Sequence, residues 1–207
     1  LRFRLHIVAT YDGSRPPLDH DFDDASAQLT AAHTVVLTKI DLVSPERRAQ
    51  ARSVVAGINP MARIVDEFSP SIRAREAFAE VDTSLSPRIV GSERTHVGET
   101  LLHPRVRVFR ARFTQKPNWE DVLEWLENIA GMTGDRLLRM KAIVTGPHGS
   151  DDRILLQSVG TTFAAPRRLA KTSFDDLAVV FIVRDCAMVE LQQAEGACEV
   201  SWTAMQR

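Results

Sequence analysis

The chain has 207 residues, 26 basic and 27 acidic side chains, a formal net charge of -1, and hydrophobic and charged fractions of 44% and 26%. That length holds one large or two small domains with proper cores, and the balanced charge argues against wholesale attraction to nucleic acid or membrane. No apolar run approaches a membrane span and no secretory leader is visible, so a cytoplasmic protein is expected, and Cys186 and Cys198, without Cys-x-x-Cys spacing, read as free thiols.

Residues Phe3 to Thr10 read as a strand, with Leu5, Ile7 and Ala9 alternating against Arg4 and His6, and the turn signal Tyr11-Asp12-Gly13 leaves Asp12 at its tip. Residues 14–24 carry two prolines and four aspartates around His20, which suits a solvated loop better than a metal site. A short helix is expected over Ala25 to Ala32, with Leu29 as its main apolar contact.

The run Val35-Val36-Leu37 is apolar on both faces, as a strand inside a parallel sheet requires, and it stops abruptly at Thr38-Lys39-Ile40-Asp41. Ligands of open α/β sheets bind at such strand tips. A carboxylate two residues after a lysine accepts from two adjacent N–H groups of a flat ring while the lysine stem packs along its face, and guanine offers that donor pair. The alternative is that Lys39 and Asp41 are polar residues closing a strand. Ser44-Pro45-Glu46 then reads as an N-cap, a first-turn proline and a first-turn acid, opening a helix that runs to Val55 or Ala56 and stops at Gly57.

Ala62 to Val65 is a third strand after Ile58-Asn59-Pro60, and two successive crossovers imply a parallel sheet. Three strands leave edges and apolar surface uncovered, so further strands are expected from elsewhere. A helix over Ser69 to Val81 would bury Ile72, Ala77, Phe78 and Val81; residues 82–103 read as a linker in which His96, Glu99 and His103 are spaced too loosely for a metal site.

From Arg105 the pattern changes. The stretch Arg105 to Phe113 is a strand whose apolar parity switches at Phe109, implying a bulge or two differently covered faces. Its four arginines and two phenylalanines could bind RNA, but a charged outer face is the commoner reason for such a strand. Pro117-Asn118 opens a helix with Trp119, Val122, Leu123, Leu126, Ile129 and Ala130 on one stripe, ended by Gly131 or Gly134. Trp125 falls off that stripe, at the rim of the core or on a contact surface. Strands Leu137 to Val144 and Ile154 to Val159 form a hairpin-like pair, and Pro166-Arg167-Arg168-Leu169 precedes a last strand, Ala178 to Val183, with Arg184-Asp185 at its end; a helix and loosely ordered residues would follow from Cys186.

Together these pieces resemble the CobW-like family of P-loop GTPases. The stretches that carry the resemblance are Ile7 to Gly13, Val36 to Val43, Ile58 to Ala62, Trp119 to Leu126, Gly134 to Lys141, Gln157 to Gly160, Pro166 to Leu169 and Val180 to Asp185. It implies a partial P-loop NTPase α/β domain with a parallel sheet over residues 1–95, and a CobW C-terminal α+β domain with a mainly antiparallel sheet over 104–190, followed by a tail. It further implies that Asp41 accepts from guanine, that Lys39 packs on base and ribose, and that Thr38 braces the loop where asparagine is more usual. The family's activity is GTP binding and hydrolysis with Mg²⁺, coupled to delivery of zinc or cobalt to a client metalloenzyme.

Two family motifs do not occur in the 207 residues: Gly-x-x-x-x-Gly-Lys-Ser/Thr, which cradles phosphates, and Cys-x-Cys-Cys, which binds metal. The expectation is therefore the C-terminal part of such a protein, without catalytic or metal-binding residues of its own and possessing half of a nucleotide site. A homo-oligomer is compatible with it. The competing reading is a standalone protein-interaction module with a vestigial nucleotide fold.

Overall fold

The structure, a computed structural model, describes residues 6–14, 22–79, 105–147, 152–169 and 177–205. The chain divides into two compact units, Leu1–His103 and Pro104–Arg207. Among the described residues, no helix is long and apolar enough to cross a membrane. The loop around His20 and the histidines of residues 82–103 lie outside the described residues.

The first unit runs β1 (Val8–Asp12), α1 (Phe22–Ala31), β2 (Thr34–Thr38), a single 3-10 turn (Ile40–Leu42), α2 (Pro45–Ile58), β3 (Arg63–Val65) and α3 (Pro70–Phe78). Its strands form a parallel sheet in the order β1-β2-β3, with Asp12 opposite Thr38 and Val36 opposite Val65. The parallel arrangement read from two crossovers is present, and β2 is buried from Thr34 to Leu37, as its unbroken apolar run requires. Leu29, Val35, Leu37, Ile40, Val54, Val55 and Ile58 make one core.

Two expectations fail here. The helix after Ser44 does not stop at Gly57: it runs to Ile58, and its C-cap is Asn59 at φ -136°, not a left-handed glycine. Asn59 is fully buried, its Nδ2 donating to the carbonyls of Leu29 (2.7 Å), Thr30 (3.1 Å) and Ala32 (3.0 Å), and its Oδ1 accepting from Met61 N–H at 3.1 Å. A tertiary cap has replaced the local one. In α3, Ala77 is buried, but Ile72 and Phe78 are exposed (39% and 76%), so the helix does not bury the apolar side its spacing suggested; Val81 lies outside the described residues.

The second unit holds β4 (Val106–Phe113), α4 (Trp119–Thr133), β5 (Leu137–Thr145), β6 (Arg153–Val159), β7 (Thr162–Phe163), β8 (Arg167–Arg168), β9 (Ala178–Arg184), α5 (Met188–Leu191) and β10 (Val200–Ala204). They build a seven-stranded sheet ordered β10-β4-β9-β5-β6-β7, with β8 on β6 and every pairing antiparallel. Helix α4 begins after Asn118 and ends at Gly134, which sits at φ +56°. The β4 register against β9 is continuous, so the parity switch at Phe109 is no bulge; Phe109, Ala111 and Phe113 join the α4 core, whereas Val106 and Val108 are buried on the opposite face. The arginines of β4 divide between those faces and form no single stripe.

Trp125 is neither at the rim nor exposed. It is 3% exposed, edge-on to Phe113, Phe181 and Trp202 at 5.8, 6.0 and 6.0 Å. The residues that cover it come from the end of the chain, where a helix and loose residues were expected. Instead α5 is one short turn, and β10 pairs with β4, Trp202 opposite Ala111. A Cβ on Gly196 would lie 2.9 Å from Trp125 Cβ, so only glycine lets this segment approach so closely.

On the sheet face away from α4, Arg139 and Lys141 are 1% and 5% exposed. Burial chiefly, and then the charges of Arg139 and Arg167, lower the Lys141 pKa to about 7. Between about pH 7 and the unfolded lysine value near 10.4, the unfolded chain binds the extra proton, so stability rises with pH across that window. Lys141→Met should raise the melting temperature at pH 6 to 7, and thermal melts should show the gain vanishing towards pH 10. Asn59→Ala, which removes a buried amide donor shared by three carbonyls, should cost about 1–3 kcal/mol in urea unfolding, with α1 losing hydrogen-exchange protection first.

Candidate functional site at the strand tips

Because β1, β2 and β3 are parallel, their C-terminal ends share one edge of the sheet. Two short links bind the first two tips: Gly13 N–H donates to the Thr38 carbonyl at 2.9 Å, and Thr38 Oγ1 donates to the Tyr11 carbonyl at 3.3 Å. Gly13 is buried, and a Cβ there would sit 3.2 Å from Thr38 O and 3.3 Å from Ile40 Cγ2, so the approach of the tips depends on the missing side chain.

Lys39 follows at φ 56° and ψ 25°, in the left-handed region that a non-glycine residue adopts at a cost of about 1–2 kcal/mol. The next residue explains how that is held: Ile40 is 1% exposed and packs into the core, so the chain must turn sharply between a strand and a buried plug. The 3-10 turn presents Asp41 and Leu42 outward, and Leu42 N–H closes it on the Lys39 carbonyl at 3.2 Å. Ser44 caps α2 by accepting from Arg47 N–H at 3.3 Å. No hydrogen bond to the Asp41 carboxylate is made among the described residues.

The three candidates Thr38, Lys39 and Asp41 therefore stand at one strand tip in different settings. Thr38 is half-buried and turned to β1; Lys39 and Asp41 are exposed. Sequence reasoning placed Asp12 at a strand tip but gave it no role. Its Oδ2 lies 2.7 Å from Lys39 Nζ, and its Oδ1 accepts from Ser14 N–H at 2.9 Å and Ser14 Oγ at 2.6 Å. The Lys39 hydrogen bond first, then those of Ser14, hold the Asp12 carboxyl down at about 2. The signal for this pair was two charged residues at adjacent strand tips.

Beside the turn, Ile40, Val43, Pro45, Arg48, Asp66 and Phe68 line a groove of ≈ 290 Å³. Its rim is fixed by ion pairs of Asp66 with Arg48 (3.2 Å) and Arg52 (3.1 Å), and Arg48 lies 4.3 Å from the Phe68 ring centroid. Among the described residues, no group of three or more His, Cys, Asp or Glu could hold a metal ion.

Comparison with known families matches residues 106–199 to the cobalamin synthesis protein CobW C-terminal domain. The second unit carries a CobW C-terminal domain. A search of curated proteins gave no match. Among solved structures, the Zn(II)-bound YjiA GTPase from E. coli is similar over 90% of this chain and 58% of its own, at 20% identity and a TM-score of 0.61. A Zn(II)-bound triple mutant of the YjiA GTPase matches over the same shares at 18% identity and 0.62. At those identities the likeness is one of fold, and the chain spans 58% of the length of the structures it matches.

The close approach at Gly13 gives a test of how the tip is built. Gly13→Val should separate β1 from the Lys39 turn, lowering stability by about 1–3 kcal/mol and shifting the backbone amide resonances of residues 38–42 more than those of α1.

Proposed function

We propose that the first unit is the base-reading part of a GTP-binding protein of the CobW type, in which Asp41 accepts from the ring N–H and exocyclic amine of guanine, Lys39 packs along the base and Thr38 braces the loop. The observation that carries this reading is the left-handed turn at Lys39: it ends a strand buried from Thr34 to Leu37 and leaves a cationic stem and an exposed carboxylate side by side. The CobW C-terminal domain in the second unit and the likeness in fold to a Zn(II)-bound GTPase support the same reading.

The residues present fit the base. No phosphate-cradling glycine-rich sequence occurs in the 207 residues, so these residues offer the base a reader and the phosphates and Mg²⁺ no such loop. In the intact protein, GTP hydrolysis would accompany delivery of zinc or cobalt as cargo to a client metalloenzyme.

A carboxylate acceptor pairs with the two donors of guanine, whereas an amide in its place offers a donor that suits the 2-oxo group of xanthine. Asp41→Asn should therefore weaken guanosine binding by at least about tenfold and improve xanthosine binding, with the fold unchanged. Ligand-observed NMR titration of both nucleosides against both proteins measures the exchange; equal affinities in wild type and variant would sink the reading.

A further inference from the structure

An exposed lysine ordinarily samples many rotamers, and a ligand that stacks on its stem must first freeze them. In this chain, Lys39 is 55% exposed on its side chain, yet its ammonium is bonded to Asp12 at 2.7 Å. Asp12 is the register partner of Thr38, so the lysine reaches diagonally across two neighbouring strand tips. Ser14 in turn holds the other carboxylate oxygen through both its N–H and its hydroxyl, which fixes the carboxylate before the lysine meets it. Such a surface pair contributes little to stability, so its effect lies in direction.

We propose that Asp12 is a positioning residue of the base-reading site: it draws the Lys39 ammonium to the tip of β1 and lays the four-carbon stem out as a platform for the flat face of a purine. This rests on the reading of Thr38, Lys39 and Asp41 given above, and extends the site to a residue on another strand. Asp41 sets which base is chosen; Asp12 sets how firmly any purine with the right outline is held. Asp12 touches no part of the base in this arrangement and acts through Lys39 alone.

The test uses the full chain and two probes, guanosine and inosine, titrated by ligand-observed NMR. Asp12→Asn and Asp12→Ala should weaken both nucleosides by the same factor, roughly 5- to 30-fold, while Asp12→Glu restores most of the loss. In a Lys39→Met background, which keeps much of the stem and removes the charge, Asp12→Asn should have no further effect. Unchanged affinity of Asp12→Asn, in a protein where Asp41→Asn still exchanges guanosine for xanthosine, overturns the role of Asp12 and leaves the base reading standing. A loss that persists undiminished in the Lys39→Met background also overturns it, because Asp12 would then act on the fold. A wild-type chain that binds neither guanosine nor inosine overturns both proposals.

Discussion

A single buried amide holds the end of the first unit that lies opposite its strand tips. Asn59 donates to the carbonyls of Leu29, Thr30 and Ala32 at the end of α1, and it orders its own turn into β3 by accepting from Met61. The two crossover connections of the sheet are thereby fastened to one another in a dry setting, where an unmade hydrogen bond costs more than a made one contributes. With the entry to β2 and β3 fixed in this way, the register of the three strands follows, and the heights of Asp12, Thr38 and Val65 at the other end follow from the register.

At that other end, the geometry depends on an absence of atoms at one residue and a burial at another. Gly13 lets β1 come within hydrogen-bonding distance of the Thr38 carbonyl, and Ile40 anchors the chain in the core immediately beyond Lys39. Between those two fixed points the backbone has room for one left-handed residue. Lys39 takes it, because the packing on either side over-determines a conformation that it would not choose alone. The strain is thus small and local.

The legible parts of the sequence were those whose signals are short in range. The apolar run of β2, the Ser44-Pro45 cap, the α4 stripe and the β5–β6 hairpin each follow from residues within one turn or one strand of one another. What escaped notice depended on distance along the chain. Gly57 looked like a helix stop because the tertiary partners of Asn59 lie about thirty positions upstream. Trp125 looked marginal because its cover, Gly196 and Trp202, arrives from the end of the chain. The Lys39–Asp12 pair joins residues 27 positions apart on separate strands, and no periodicity within either strand announces it.

The pairing of β10 with β4 carries a consequence for how the second unit comes to be. Its first strand can acquire both neighbours only after residues 178–184 and 200–204 exist, since Phe113 faces Val200 and Arg112 faces Ala178. Closing loops of that span is entropically slow compared with making the β5–β6 hairpin, so the hairpin is available first and the strand Val106–Phe113 waits with open edges. During synthesis on the ribosome, that interval leaves Val106–Phe113 unpaired until the final described strand emerges, and for as long as it lasts Arg107, Arg110 and Arg112 are the charges that keep its open edges from pairing with a neighbouring nascent chain.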